Sequence, residues 1–165
     1  MWLLDFIGTF MENIFFMVTA EETKVFANAE DTAIIHEVGN PHFFRLRVRG
    51  TLTTETYKEA FNKLREHMEP AMCPRMLYDA SGLNASDPEA RAWLIKSFFP
   101  EVTKVFDEPL VAALILPQSM FMKMVVNIVT KAMTVFGKSF VIQSFDTEAK
   151  ASEWLAEQQS KSKYP

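Results

Sequence analysis

The chain holds a single cysteine, Cys73, and only five glycines in 165 residues. One thiol excludes an intramolecular disulfide and fits a reducing compartment. Neither a glycine-rich phosphate loop nor a G-x-S-x-G nucleophile elbow occurs. Metal-ligand spacing is missing too: His36 and His42 flank a turn, and no Cys or carboxylate obviously completes a set around them. Cys73 lies between Pro70 and Pro74 with His67 as the one nearby base, which suits an incidental thiol better than a nucleophile. There is no basic tract to grip a phosphodiester backbone, so nucleic acid is not an expected partner. No Lys or Arg precedes Lys24, so the positive start of a secretory signal is absent. Together these gaps predict a protein without catalytic residues, metal or cofactor.

What is present is oil. The chain is 48% apolar, with 15 Phe and 10 Met, enough for one domain with a substantial core or an apolar interface. The net charge of −4 is uneven, because the first 31 residues carry six acids against Lys24 alone. Residues 1–20, MWLLDFIGTFMENIFFMVTA, place Asp5, Gly8, Thr9, Glu12 and Asn13 in one narrow polar stripe at helical spacing. Two carboxylates argue against a spanning helix, at about 2.5–3.5 kcal/mol each near a bilayer centre. Packing onto the domain or a second subunit is the simplest reading, with a peripheral membrane anchor as the alternative. Met11 is a second possible start. The chain is therefore divided into an apolar N-terminal helix and connector, 1–30, and a main domain, 31–160.

Ala33–Val38 and His42–Arg49 read as a hairpin across Gly39-Asn40-Pro41. In the second strand Phe44, Leu46 and Val48 alternate with Arg45, Arg47 and Arg49. A helix from Thr53 or Thr54 to Met68, a strand Met76–Asp79, a helix opened by Asp87-Pro88, a buried strand Leu110–Leu116, a long helix to Phe136, a strand Phe140–Phe145 and a last helix after Asp146 complete the order. The pattern ββαβαβαβα predicts an α/β fold with a single mixed, mostly parallel sheet and crossover helices, plus the extra N-terminal helix.

Three features attract function. The helix over 118–136 is too apolar for a surface position, and Met120, Phe121, Met124, Val125 and Ile128 are candidates to bind an apolar ligand, a lipid surface or a partner. Arg45 and Arg47 are candidates for an anionic headgroup. Asp79, a strand-end acid followed by Ala80-Ser81-Gly82, marks the sheet edge where ligands and modifications collect.

Arg49-Gly50-Thr51-Leu52-Thr53 ahead of a Tyr57-bearing helix, then Arg75–Asp79, Asp87-Pro88-Glu89-Ala90, and Phe145-Asp146-Thr147-Glu148-Ala149 with Trp154-Leu155 resemble the SpoIIAA-like proteins over about residues 32–157. These sit in the wider group of STAS (anti-sigma-factor antagonist) and Sec14/CRAL-TRIO-like domains. The resemblance implies a non-enzymatic binding or regulatory domain, cytoplasmic or peripheral at a membrane, that takes an apolar ligand or protein partner and forms a homodimer. It also implies an alternative, a switch worked by serine phosphorylation. Ser86 and Ser81 are the candidate phosphosites, although Asn84-Ala85-Ser86-Asp87-Pro88 lacks the Asp-Ser-Ser-Gly pattern and Ser86 or Asp87 also suits a plain helix cap.

Overall fold

The computed structural model describes residues 21–165; the apolar helix expected over residues 1–20 lies outside the described residues. Among these, β1 (Glu22–Ala27), β2 (Ala33–Gly39) and β3 (His42–Leu52) form an antiparallel meander. Strands β4 (Arg75–Ser86), β5 (Leu110–Ile115) and β6 (Phe140–Phe145) then run parallel to β3. The sheet order β1-β2-β3-β4-β5-β6 follows the chain. The α/β class and the mostly parallel sheet agree with the expected pattern. Strand β1 is an addition, because Glu22–Ala27 falls where a connector was expected.

The helices are α1 (Thr54–Met68), α2 (Pro88–Trp93), α3 (Phe99–Val102), α4 (Met120–Met133) and α5 (Glu148–Gln159). A π-helical turn, Leu94–Phe98, joins α2 to α3, and a 3-10 stretch, Thr134–Ser139, follows α4. Each step from β3 to β6 moves one strand over in the same direction. Right-handed crossovers then bring α1, α2–α3 and α4 to one face of the sheet. The main core lies there, built from Phe44, Leu46, Phe61, Leu64, Phe98 and Met122 among others. Helix α5, arriving after the last strand, covers the opposite face with Ala151 and Leu155 on Phe43, Leu77 and Ala113.

Local chemistry sets the helix starts. Thr53 Oγ1 accepts from the Thr56 amide at 3.2 Å and caps α1. Asp87 stands at the N-cap of α2, but its carboxylate instead accepts from the Thr54 amide (2.8 Å) and hydroxyl (3.1 Å), pinning α2 to the start of α1. Thr147, one residue later than Asp146, caps α5. The Met-rich helix opens on Ser119, whose hydroxyl accepts from Met122 N, and the stretch after it turns at Gly137, whose φ of 56° favours glycine.

Strand β4 corrects the expected position of Asp79. The strand does not stop there but continues to Ser86, pairing with β3 beyond the last residue of β5. Asp79 is mid-strand, buried, and opposite the end of β5 at Ile115.

Arg45 and Arg47 face α5 as the alternation requires, and carboxylates from distant elements meet them, whereas Arg49, past a register shift, donates to the Asp31 carbonyl. Arg45 pairs with Glu22 of β1 and Glu148 of α5, and Arg47 pairs with Asp79 (2.8 Å) and Glu148 (3.0 Å). Arg45 is only 5% exposed, and losing it leaves Glu22 without an arginine partner and Glu148 with Arg47 alone. Arg45→Met is expected to destabilise the fold by about 2 kcal/mol, below the usual cost of breaking a buried pair because both glutamates reach solvent. A urea midpoint unchanged from the parent protein would contradict this.

Candidate functional site

Beneath α4 lies a cavity of ≈60 Å³. Its roof is the inner face of α4, where Met122, Val125, Val126, Val129 and Met133 point at the sheet. Its floor comes from Met76 and Tyr78 of β4, Ala112 and Leu114 of β5, and Phe140 and Ile142 of β6. Phe61 of α1 and Phe99 of α3 close the sides. The position follows from topology. The crossover helix α4 must bridge the last two strands, and the side chains there do not fill the space beneath it.

Few polar groups reach this wall: the Tyr57 and Tyr78 hydroxyls, Ser86, Arg91 and Thr130. The two tyrosine oxygens share one hydrogen bond of 2.8 Å. Arg91 Nη1 donates to the carbonyl and hydroxyl of Ser86. Thr130 returns its proton to the Val126 carbonyl at 3.0 Å.

Burial pushes the Tyr57 phenol up to about 12, against the pull of its bond to Tyr78 and of the Arg91 charge. Tyr78 is raised still more clearly, by burial first and then by Tyr57. In the unfolded chain both titrate near the ordinary value of about 10. Below that pH the native advantage of keeping them neutral is fully present. It is lost as pH rises from about 10 through about 12, because the unfolded state gives up its protons first. A loss on the order of 1 kcal/mol for Tyr57 alone is expected at pH 11, and Tyr57→Phe should remove it. Chemical denaturation at pH 9 and pH 11 checks both; equal alkaline loss in the variant would contradict the assignment.

The residues singled out in the sequence fall in three places. Val125 lines the cavity. Met120, Phe121, Met124 and Ile128 face away from it and stand 54–78% exposed. Helix α4 is thus apolar on two sides, and Met120–Ser139 is the one helical stretch among the described residues long and apolar enough to cross a membrane by length and composition. Arg45 and Arg47 lie across the sheet from the cavity, with their charges already paired.

Asp79 is spent as well. Its burial works to raise its pKa, but bonds from the Ser81 hydroxyl (2.7 Å), the Arg47 side chain (2.8 Å) and the Ser81 amide (3.0 Å) outweigh that and hold it below the usual range. Ser81 is therefore tied to Asp79, while Ser86 sits partly buried at the cavity mouth beside Arg91. The Cys73 thiol is fully buried and pushed up by that burial. Among the described residues, no group of three or more His, Cys, Asp and Glu gathers as a metal site would need.

A wider hollow of ≈300 Å³ opens beside Pro74, Arg75 and Glu108, near the starts of β4 and β5. Arg75 at its edge is buried and already donates to the carbonyls of His42, Tyr164 and Pro165. Its lining is mixed and its arginine occupied, so the cavity under α4 is the better candidate. Tyr57, Tyr78 and Arg91 come from three separate elements, and no local pattern in the sequence joins them.

No family model matches the sequence, and no curated protein matches it. Among solved structures, the fold is similar to that of a protein from Shewanella loihica PV-4, described as an uncharacterized member of the DUF3478 family with a SpoIIAA-like fold. The TM-score is 0.52 at 19% identity, over 74% of this chain and 91% of that one. The chain has a SpoIIAA-like fold, as the sequence resemblance implied.

Proposed function

We propose that this domain binds an apolar ligand beneath α4 and does no chemistry on it. The observation that carries this reading is the cavity itself: an almost wholly apolar hollow under a helix whose other side is also apolar and exposed. A hollow left in a core costs stability, about 24 cal/mol per Å³ by analogy with engineered cavities. One that is occupied repays that cost. In the state described here the space is smaller than the ~150 Å³ void that admits benzene, so a longer ligand enters by moving α4 outward.

The helix suits that movement. Only Met122, Val125, Val126 and Met133 of its 14 residues are buried. Its methionines repack readily. Lys123 and Lys131 flank the outer apolar face, a combination that suits contact with an anionic lipid surface while ligand is exchanged. Gentle-ionisation mass spectrometry and solvent extraction of the purified full chain test the reading. Stoichiometric alkyl-bearing molecules are expected; an empty protein that also ignores added alkyl compounds would overturn it.

A serine-phosphorylation switch is the second reading, favoured by one contact. Arg91 Nη1 stands 3.1 Å from the Ser86 hydroxyl, where it would meet a phosphate. Ser86 opens toward the cavity, so that reading requires a kinase to reach a partly buried residue. Phosphosite mapping on protein from its native cells, with Ser86→Ala as control, separates the two.

A further inference from the structure

We infer that the ligand is an anionic amphiphile, an alkyl chain ending in a carboxylate, whose head is held by Arg91 with Ser86 and the Tyr57–Tyr78 pair. This deepens the cavity reading and rests on it. Hydrogen-bonding capacity is left over around one apolar hollow.

Arg91 lines the cavity and makes no ion pair with an acid among the described residues. Its two bonds, both from Nη1, go to the carbonyl and hydroxyl of Ser86. That leaves Nε and Nη2 with no protein acceptor among the described residues, and a guanidinium offers donors only. The nearest acids in sequence are committed elsewhere: Asp87 to Thr54, and Glu89 toward Lys58 at 3.6 Å. Ser86 accepts from Arg91 and keeps its own proton.

The tyrosine pair adds one more donor. Two hydroxyls joined by a single hydrogen bond have two protons between them, and that bond uses one. The second has no protein acceptor among the described residues, in a wall that is otherwise almost wholly apolar. Three separate donors therefore line one cavity whose wall holds no carboxylate. An ionised carboxylate is acceptor-only and fits them; an alcohol leaves the arginine charge unanswered, and an alkane leaves every donor unanswered. The chain behind the head meets Met76, Leu114, Val129 and Met133, which offer it no polar group.

The test uses the full chain at pH 8, titrated calorimetrically with decanoate and with 1-decanol, which share a chain and differ in head. Decanoate is expected to bind about tenfold or more tightly, the worth of a charge-assisted hydrogen bond. In Arg91→Gln the two affinities should converge by weakening of decanoate alone, and Arg91→Lys should restore part of the gap. Equal affinities in the parent protein would overturn the head assignment and leave the cavity reading standing. A decanoate preference that survives Arg91→Gln overturns the assignment as well. If neither compound binds, both readings fall. Should Arg91→Gln not fold, the comparison of the two compounds on the parent protein decides by itself.

Discussion

Phe61→Ala is expected to cost about 3–5 kcal/mol of folding stability, and a small apolar solute should return part of it. The ring is 2% exposed and sits at the centre of an aromatic cluster, with centroids 5.2 Å from Tyr57, 5.1 Å from Phe98 and 5.7 Å from Tyr78. Truncation removes the transfer free energy of the ring and its edge-to-face contact with Phe98. The new space opens beside the cavity that Phe61 already borders. The enlarged hollow should admit benzene, which binds only the native state and raises stability by mass action. Guanidinium unfolding with and without benzene measures both effects. A loss below 1 kcal/mol, or no response to benzene, would contradict the packing described here.

Ala112→Leu should act in the opposite direction on both properties. Ala112 lies on the cavity floor, between Met76 of β4 and Ile142 of β6 in the sheet register. A larger aliphatic side chain there points into the hollow. Filling ≈60 Å³ is worth roughly 1 kcal/mol at the rate measured for engineered voids, provided the new rotamer fits without strain. The same atoms occupy the ligand's place, so decanoate affinity should fall by at least about tenfold. Higher stability with lost binding is a signature that a merely damaged protein does not give. Unaltered affinity would place the ligand elsewhere.

The sequence carried the sheet well, because strands β2 to β6 and their crossover helices announce themselves by period and by caps. It missed β1, since Glu22-Thr23-Lys24 has the polar character of an exposed edge strand and offers only Val25 and Phe26 to the core. It ended β4 too early because Ala80-Ser81-Gly82 looks like a turn. What extends the strand is β3, which is long enough to pair with it as far as Leu52–Ser86. Arg45 and Arg47 were set on one face by the alternation and were candidates for an anionic headgroup, but their partners Glu22, Asp79 and Glu148 come from three remote segments, and the pairing among them is not visible in the sequence.

The Met-rich helix shows the same limit. Its excess of apolar residues was plain, but Met120 and Met122 differ by two positions and point to opposite sides, one 78% exposed and the other buried at 1%. Only packing distinguishes them. The cavity is less legible still, because seven separate strands and helices contribute to its wall.

Methionine methyl NMR exploits that division most directly. With the methyl groups carbon-13 labelled, the full chain is titrated with decanoate and the signals are assigned by single Met→Leu exchanges. Met122 and Met133, on the inner face of α4, should shift and show contacts to the alkyl chain, while Met120 and Met124 on the outer side should barely change. Shifts confined to the outer pair, or none at all, would mean that no ligand sits under the helix.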